Sequence, residues 1–113
     1  MGCARTCCAT ERPNDYVVSL GVIDESKHLI FDASPDIVSQ TNYLQLISPA
    51  KELNIFLTHA HVGHYVGLIH LGRESANTKN TPVYAMPRMA QFLQNNGPWS
   101  QLIDLENLSL IHI

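Results

Sequence analysis

The regular pattern of the chain starts with two short apolar runs separated by a polar segment. Tyr16–Ile23 is rich in β-branched residues, and the polar segment Asp24–Lys27 that follows is typical of a turn. His28–Phe31 then resumes the apolar run. Two apolar runs on either side of a short turn predict a β-hairpin.

A helical pattern follows the hairpin. Ser34 can cap free backbone N–H groups, and Pro35 already has the φ that the first turn of a helix requires. We expect this helix to run to about residue 46 of the sequence. Its inner side should carry Ile37, Thr41 and Leu44, which recur at helical spacing.

The rest of the chain continues to alternate strands with helices. In chain order the sequence predicts a buried strand at Asn54–Leu57, a short helix at Gly67–Leu71, a loop at Glu74–Asn80, a strand at Pro82–Ala85, a helix from Pro87 that stops at Gly97, a packed turn with Trp99, Leu102 and Ile103, and a strand at Leu108–Ile113. Met89, Phe92 and Leu93 recur at helical spacing, so we expect all three in the core. Strands alternating with helices predict an α/β fold.

Composition and charge narrow the class of protein. The chain has 113 residues, of which 45% are hydrophobic and 15% charged, as in one globular domain. The net charge of −3 and the lack of a Lys/Arg cluster argue against nucleic acid as the main partner. No apolar run is long enough to span a membrane, and the N-terminus lacks the apolar core of a secretory signal. A cytoplasmic location is favoured, unless a signal peptide precedes Met1.

All three cysteines, Cys3, Cys7 and Cys8, lie near the N-terminus. An odd number excludes a complete set of internal disulfides. Thiolates this close can hold a structural zinc completed by a residue from elsewhere, and free thiols in a reducing compartment explain the cluster equally well. Met1–Thr6 also fits the loose pattern for N-myristoylation.

Three of the six histidines, His59, His61 and His64, fall within six residues directly after the predicted strand Asn54–Leu57. On an extended segment His59 and His61 project to the same side, and a helical turn would bring His64 round to meet them. Neutral imidazoles suit zinc and other borderline transition metals. The spacing therefore predicts a metal-binding face.

The histidine stretch resembles the His-x-His-x-Asp-His signature of the metallo-β-lactamase fold superfamily, with Gly63 where that family usually has Asp. A wider similarity, carried by Leu29–Asp36, the histidines and Leu71–Glu74, points to the branch that contains the pyrroloquinoline quinone biosynthesis protein B, PqqB. The resemblance implies an αββα sandwich built from two similar halves. At 113 residues the chain is expected to hold only the first half, as a partial domain over residues 1–113 that is inactive by itself.

The resemblance also implies roles for individual residues. His59 and His61 would share one metal, most simply zinc, with a histidine from the second half, while His64 would serve a neighbouring metal together with the Asp that is absent here. Asp32 would support the ligand loop without binding the metal itself, although an acid in the turn before a helix is an equally good reading. The implied activity is that of a metal-dependent hydrolase, with a single metal and a small-molecule substrate.

Two alternatives stay open at this level. The chain could be a non-catalytic metal-binding or scaffold protein, or a metal protein of redox or biosynthetic chemistry, because Gly63 removes the carboxylate that normally orients the reactive water. Gly63 could also be present because its backbone needs a positive φ or a close approach to substrate. The sequence does not indicate the oligomeric state.

Overall fold

The structure, a computed structural model, describes residues 15–113. The two predictions for the N-terminus, the Cys3, Cys7 and Cys8 cluster and the acylation pattern, lie outside these residues. None of the helices between residues 15 and 113 has the length and apolar character needed to cross a membrane. The elements are β1 (Leu20–Asp24), β2 (Lys27–Phe31), α1 (Ile37–Ile47), β3 (Glu52–Phe56), a first 3₁₀ helix (Val62–His64), a second 3₁₀ helix (Val66–Leu71), β4 (Thr81–Ala85), α2 (Pro87–Asn95), α3 (Trp99–Asp104) and β5 (Leu108–His112).

The five strands form one sheet in the order β1-β2-β3-β4-β5. β1 and β2 are antiparallel, which confirms the predicted hairpin, and the remaining neighbours are parallel. β1 begins at Leu20 rather than Tyr16. One reason is that the Val17 N–H donates to the Asp36 carboxylate (2.8 Å) instead of joining a strand ladder.

The connecting helices all lie on one face of the sheet. β2 to β5 are parallel and adjacent in chain order, and crossovers between parallel strands are right-handed, so each connection returns on the same side. The contacts agree, since α1 and α3 both touch the second 3₁₀ helix and α2 touches α3. Ile30, Ile55 and Val83 are register partners on β2, β3 and β4 and are fully buried beneath these helices.

The other face of the sheet carries an aromatic stack. Phe31, Phe56 and Tyr84 directly follow the three buried residues, so they point the opposite way. The Phe31 and Phe56 rings lie 5.0 Å apart, and those of Phe56 and Tyr84 lie 4.4 Å apart. All three side chains are only partly buried. The two faces therefore differ: helices cover one, and the stacked rings leave the other half-exposed.

Helix α1 starts later than the sequence predicts. Its first residue is Ile37, and the Ser34 hydroxyl instead accepts from the Asp36 N–H (3.1 Å) and donates to the Gln40 side-chain oxygen (2.7 Å). The Ser34 hydroxyl thus joins the turn before the helix to the Gln40 side chain and does not cap an N–H group of the helix itself. Ile37 and Leu44 are buried, as predicted, while Thr41 is half-buried.

Two of the three core residues predicted on helix α2 are confirmed. Met89 and Leu93 are buried, but Phe92 is 36% exposed, so its assignment to the core was wrong. The Phe92 ring instead packs at the edge of the core against Tyr65 (5.5 Å between ring centroids) and Trp99 (5.8 Å). The reason is that the Phe92 position on α2 faces the end of the sheet where the histidines lie.

Candidate metal centre

The histidines and Asp32 lie at the carboxyl ends of neighbouring parallel strands. Asp32 directly follows β2, and its N–H donates to the Phe56 carbonyl at the end of β3 (2.8 Å). The Leu57 N–H in turn donates to the Tyr84 carbonyl on β4 (2.9 Å). Side chains that follow β2 and β3 therefore meet at one edge of the sheet, which is where open α/β sheets bind ligands.

A tight turn brings the histidines together. The His64 N–H donates to the His61 carbonyl (2.8 Å), and Val62–His64 forms a short 3₁₀ helix. As the spacing predicted, the His64 ring lies 4.0 Å from the His59 ring, and the His61 ring lies 4.7 Å from the His59 ring. We call the segment His59–His64 the histidine turn.

Close backbone packing fixes the histidine turn to the start of the α1 connection. The Ala33 N–H donates to the His64 carbonyl (2.8 Å), and the Gly67 N–H donates to the Ala33 carbonyl (2.9 Å). A Cβ at Gly67 would lie 2.0 Å from the Ser34 carbonyl oxygen, which is far inside contact distance. Only glycine allows the two chain segments to approach this closely.

Asp32 sits beneath the histidines and accepts several hydrogen bonds. It is 7% exposed, and its φ is 72°, a conformation that Asp and Asn adopt more readily than most residues. Its carboxylate accepts from the Thr58 N–H (2.8 Å), the Thr58 hydroxyl (2.8 Å) and His64 Nδ1 (2.8 Å). Burial raises the pKa of Asp32, but the hydrogen bonds from Thr58 and His64 and the attraction of His64 together hold it below its ordinary value. Asp32 is therefore ionised at neutral pH.

These hydrogen bonds determine which ring nitrogen of each histidine carries hydrogen. The Thr58 hydroxyl has one hydrogen, which it donates to the Asp32 carboxylate, so toward His59 Nδ1 (2.8 Å) it can only accept. His59 Nδ1 therefore carries the hydrogen, and His64 Nδ1 carries one for its bond to Asp32 by the same argument. When the two imidazoles are neutral, each then has a lone pair on Nε2, as a metal ligand requires.

Asp32, His59 and His64 form a group whose possible ligand atoms all lie within 4.8 Å of one another. His61 is not in this group, although its ring adjoins that of His59. The Asp32 oxygens are already occupied as acceptors from Thr58 and His64, which favours a positioning role for Asp32 over direct ligation. The structure thus brings together two of the three predicted ligands, with Asp32 beneath them.

Gly63 occupies an open position on the histidine turn. No glycine among the described residues has a positive φ. The prediction that Gly63 is present because its backbone needs a positive φ is therefore wrong. A Cβ at Gly63 would meet no atom within 4 Å. A larger side chain therefore fits here without displacing its neighbours, in contrast to Gly67.

Sequence reasoning missed Thr58 and Arg88. Thr58 links Asp32 to His59. The one sequence feature that could have indicated this role is the position of its hydroxyl, between the end of a strand and the first histidine. Arg88 lines a cleft beside His59, although it lies 29 positions further along the chain (88 − 59). No local pattern marks such a residue, because its position depends on the alignment of β3 with β4.

Comparison with known proteins identifies the family. A family model described as the beta-lactamase superfamily domain matches residues 27–112, which is most of the sequence. The chain therefore belongs to the beta-lactamase superfamily, and the predicted metallo-β-lactamase fold is confirmed.

Among solved structures, the chain is similar to Zn(2+)-bound PqqB from Methylobacterium extorquens, with a TM-score of 0.62 and 23% sequence identity. The similarity covers 84% of this chain and 33% of the PqqB chain, so this chain spans about a third of the length of that protein. At this identity the likeness establishes the shared fold. A search of curated proteins found no match.

Proposed function

We propose that His59 and His64 bind zinc through their Nε2 atoms, and that this centre serves a single-metal hydrolase acting on a small-molecule substrate in a domain of full size. The observation that carries the proposal is the hydrogen-bonded chain from Asp32 through Thr58 to His59, together with the direct bond from His64 to Asp32. It supports the proposal because it leaves both Nε2 lone pairs free at the edge of the sheet.

The donor set suits zinc. Two neutral imidazoles with an ionised carboxylate behind them resemble the histidine sites of zinc enzymes, in which an acid holds each ligating ring in place. His61 lies beside His59 and is proposed as a further ligand of the same ion. The solved relative with the same fold was crystallised with Zn(2+), which adds support.

The residues of the chain have separate tasks in this proposal. Asp32 holds a fixed negative charge that orients His64 directly and His59 through Thr58. A zinc ion bound there would lower the pKa of a water molecule to about 7 and polarise a carbonyl or phosphoryl oxygen. Gly63 offers no carboxylate to hold a second ion, so we propose one metal rather than two.

Gly63 also favours a second candidate, a metal-binding protein without catalysis. The turn has no carboxylate at position 63 to orient a nucleophilic water, while the support for the histidines is intact. A panel of esters and phosphodiesters separates the two candidates in a full-size domain. Turnover that depends on zinc supports the hydrolase, and retained zinc without turnover supports the binding protein.

Zinc titration of the 113-residue chain tests the metal centre. Cys3, Cys7 and Cys8 are first changed to Ser, so that thiolates do not contribute. We expect weak binding, in the micromolar range or above, because two or three ligands leave the coordination shell open. His59→Ala and His64→Ala should each weaken binding by about tenfold or more.

His70→Ala is the matched control, since His70 lies on the second 3₁₀ helix and outside the group of ligand atoms. Its zinc affinity should equal that of the parent chain. Unchanged affinity in both His59→Ala and His64→Ala would show that zinc binds elsewhere. Sub-micromolar affinity in the parent would contradict the open coordination shell.

A further inference from the structure

A cleft of about 380 Å³ lies between the histidine turn and the start of α2. Its volume falls within the range of small-molecule sites, roughly 300–1,000 Å³. Its lining includes Thr58, His59, Ala60, Met86, Arg88 and Phe92. A second cleft of about 470 Å³ lies between the first hairpin and α1, but it contains none of the three residues of the metal-binding group. The smaller cleft is therefore the one that adjoins the chemistry.

The lining of this cleft carries a positive charge, although the chain as a whole has a net charge of −3 and the ionised Asp32 lies behind Thr58. Arg88 is its one permanently charged lining residue, and no Asp or Glu lines it. No hydrogen bond or ion pair joins the Arg88 guanidinium to another residue between 15 and 113. Its five N–H donors are thus available, and their planar arrangement matches a carboxylate or phosphate group.

The start of α2 adds to this positive character. Arg88 is the second residue of the helix, whose first turn has no acidic residue and no side-chain cap. Free N–H groups in the first turn and the helix dipole both favour a negative group at that end. The guanidinium and the helix end therefore act in the same direction.

The remaining wall of the cleft is apolar. Met86 is 57% exposed and Phe92 is 36% exposed, so both present apolar surface to the cleft. Methionine adapts its shape to different ligands, and Tyr65 and Trp99 hold the Phe92 ring from behind. This wall can cover the apolar body of a ligand whose charged group meets Arg88.

We propose that the substrate is a small organic anion that binds in this cleft. Its carboxylate or phosphate pairs with Arg88, its apolar body lies on Met86 and Phe92, and its reacting group lies beside His59. This proposal depends on the proposed function at one point only, which is that His59 is a ligand of the proposed metal centre. Binding of the anion itself requires no metal.

The test uses the 113-residue chain in metal-free buffer and follows backbone amide shifts by NMR. The probes are 4-phenylbutyrate, the neutral 4-phenylbutanamide and 3-phenylpropyl phosphate. We expect the acid to bind about fivefold more tightly than the amide, because an exposed charged pair contributes roughly 1 kcal/mol. The shifts should centre on Ala60, Met86 and Arg88. Comparison of the two anions shows which oxyanion the cleft prefers.

Arg88→Gln should remove the preference for the acid, and Arg88→Lys should retain part of it. Arg73→Gln is the matched control, because Arg73 is an exposed arginine outside this cleft, and it should leave the preference unchanged. Met86→Ala should weaken acid and amide equally.

Equal binding of acid and amide, or a full preference in Arg88→Gln, would overturn the proposal. Neither result would affect the zinc titration, which is measured without these probes. Conversely, an acid preference that is lost in Arg88→Gln would support the cleft even if zinc binding proved independent of His59 and His64. The two proposals can therefore fail separately.

Discussion

The base of the candidate metal centre and its rim differ in how their side chains are held. The base consists of Asp32, Ser34 and Gly67, which are buried and tied by several short hydrogen bonds or close backbone contacts. The rim consists of His59, His61 and Arg88, which are exposed. Within the described residues, His59 has a single side-chain hydrogen bond, to Thr58, and Arg88 has none.

This difference separates two requirements of a metal site. Ligand orientation needs rigid support, and a buried carboxylate that accepts hydrogen bonds on both of its oxygens supplies it. Ligand exchange and substrate entry need free donor atoms in contact with solvent, and the rim supplies those. Substitutions in the base should therefore change the stability of the fold together with metal binding, whereas substitutions in the rim should change binding alone.

The largest effect is expected from Gly67→Ala. The added Cβ would lie 2.0 Å from the Ser34 carbonyl oxygen and 2.8 Å from that of Ala33, and neither backbone segment can move without breaking the bonds that hold the histidine turn. We expect the free energy of unfolding to fall by about 3 kcal/mol or more. Urea denaturation measures this.

Gly63→Ala is the matched control for Gly67→Ala, because its Cβ meets no atom within 4 Å. It should change the free energy of unfolding by less than about 0.5 kcal/mol. Similar losses in the two variants would show that the close contact at Gly67 is not the cause.

A smaller loss is expected from Asp32→Asn. Asn tolerates the φ of 72°, so the variant tests the charge rather than the backbone. The amide NH₂ cannot accept the hydrogen bond that one carboxylate oxygen now receives from Thr58 or His64. We expect a loss of about 1–3 kcal/mol in stability and a loss of roughly 10–100-fold in zinc affinity. Asp104→Asn, on the exposed end of α3, serves as the control and should change neither quantity.

The effect of Asp32→Asn on the free energy of unfolding should depend on pH. The pKa of Asp32 is lower in the folded chain than in the unfolded chain. Its contribution to stability is therefore complete above the unfolded pKa, near 4, and is lost as the pH falls through the folded value. The stability difference between the parent and Asp32→Asn should narrow as the pH is lowered from about 5 to values below the unfolded pKa. A difference that stays constant over this range would contradict a charge effect.

The smallest effect on stability is expected from Gly63→Asp. The position is open and its φ is not positive, so the free energy of unfolding should change by less than about 0.5 kcal/mol. In a domain of full size the new carboxylate adds the acidic ligand that the His-x-His-x-Asp-His signature has at this position, and it should raise the metal content from one toward two ions per chain. Metal analysis of Gly63→Asp and Gly63→Ala measures this. Equal metal content in the two variants would refute the idea that Gly63 stands where a ligand is missing.

The features that the sequence predicted correctly are those that depend on residues close together in the chain. The hairpin, the strands near positions 54 and 82 and the approach of His64 to His59 all follow from local pattern and spacing. The sequence did not predict the features that depend on the alignment of distant segments. The sequence predicted Ser34 as a helix cap, but its hydroxyl bonds Gln40 because of the geometry of the turn between them, which no spacing pattern indicates. Thr58 was missed because its partner Asp32 lies 26 positions away.

The aromatic contacts at the edge of the core place the one tryptophan of the chain close to both proposed binding sites. The chain has one tryptophan, and the Trp99 ring lies 5.1 Å from the Tyr65 ring and 5.8 Å from the Phe92 ring. Tyr65 directly follows the histidine turn, and Phe92 lines the cleft beside Arg88. We expect the emission of Trp99 to change when either place changes, so that metal and anion can each be followed in unlabelled protein through its one tryptophan.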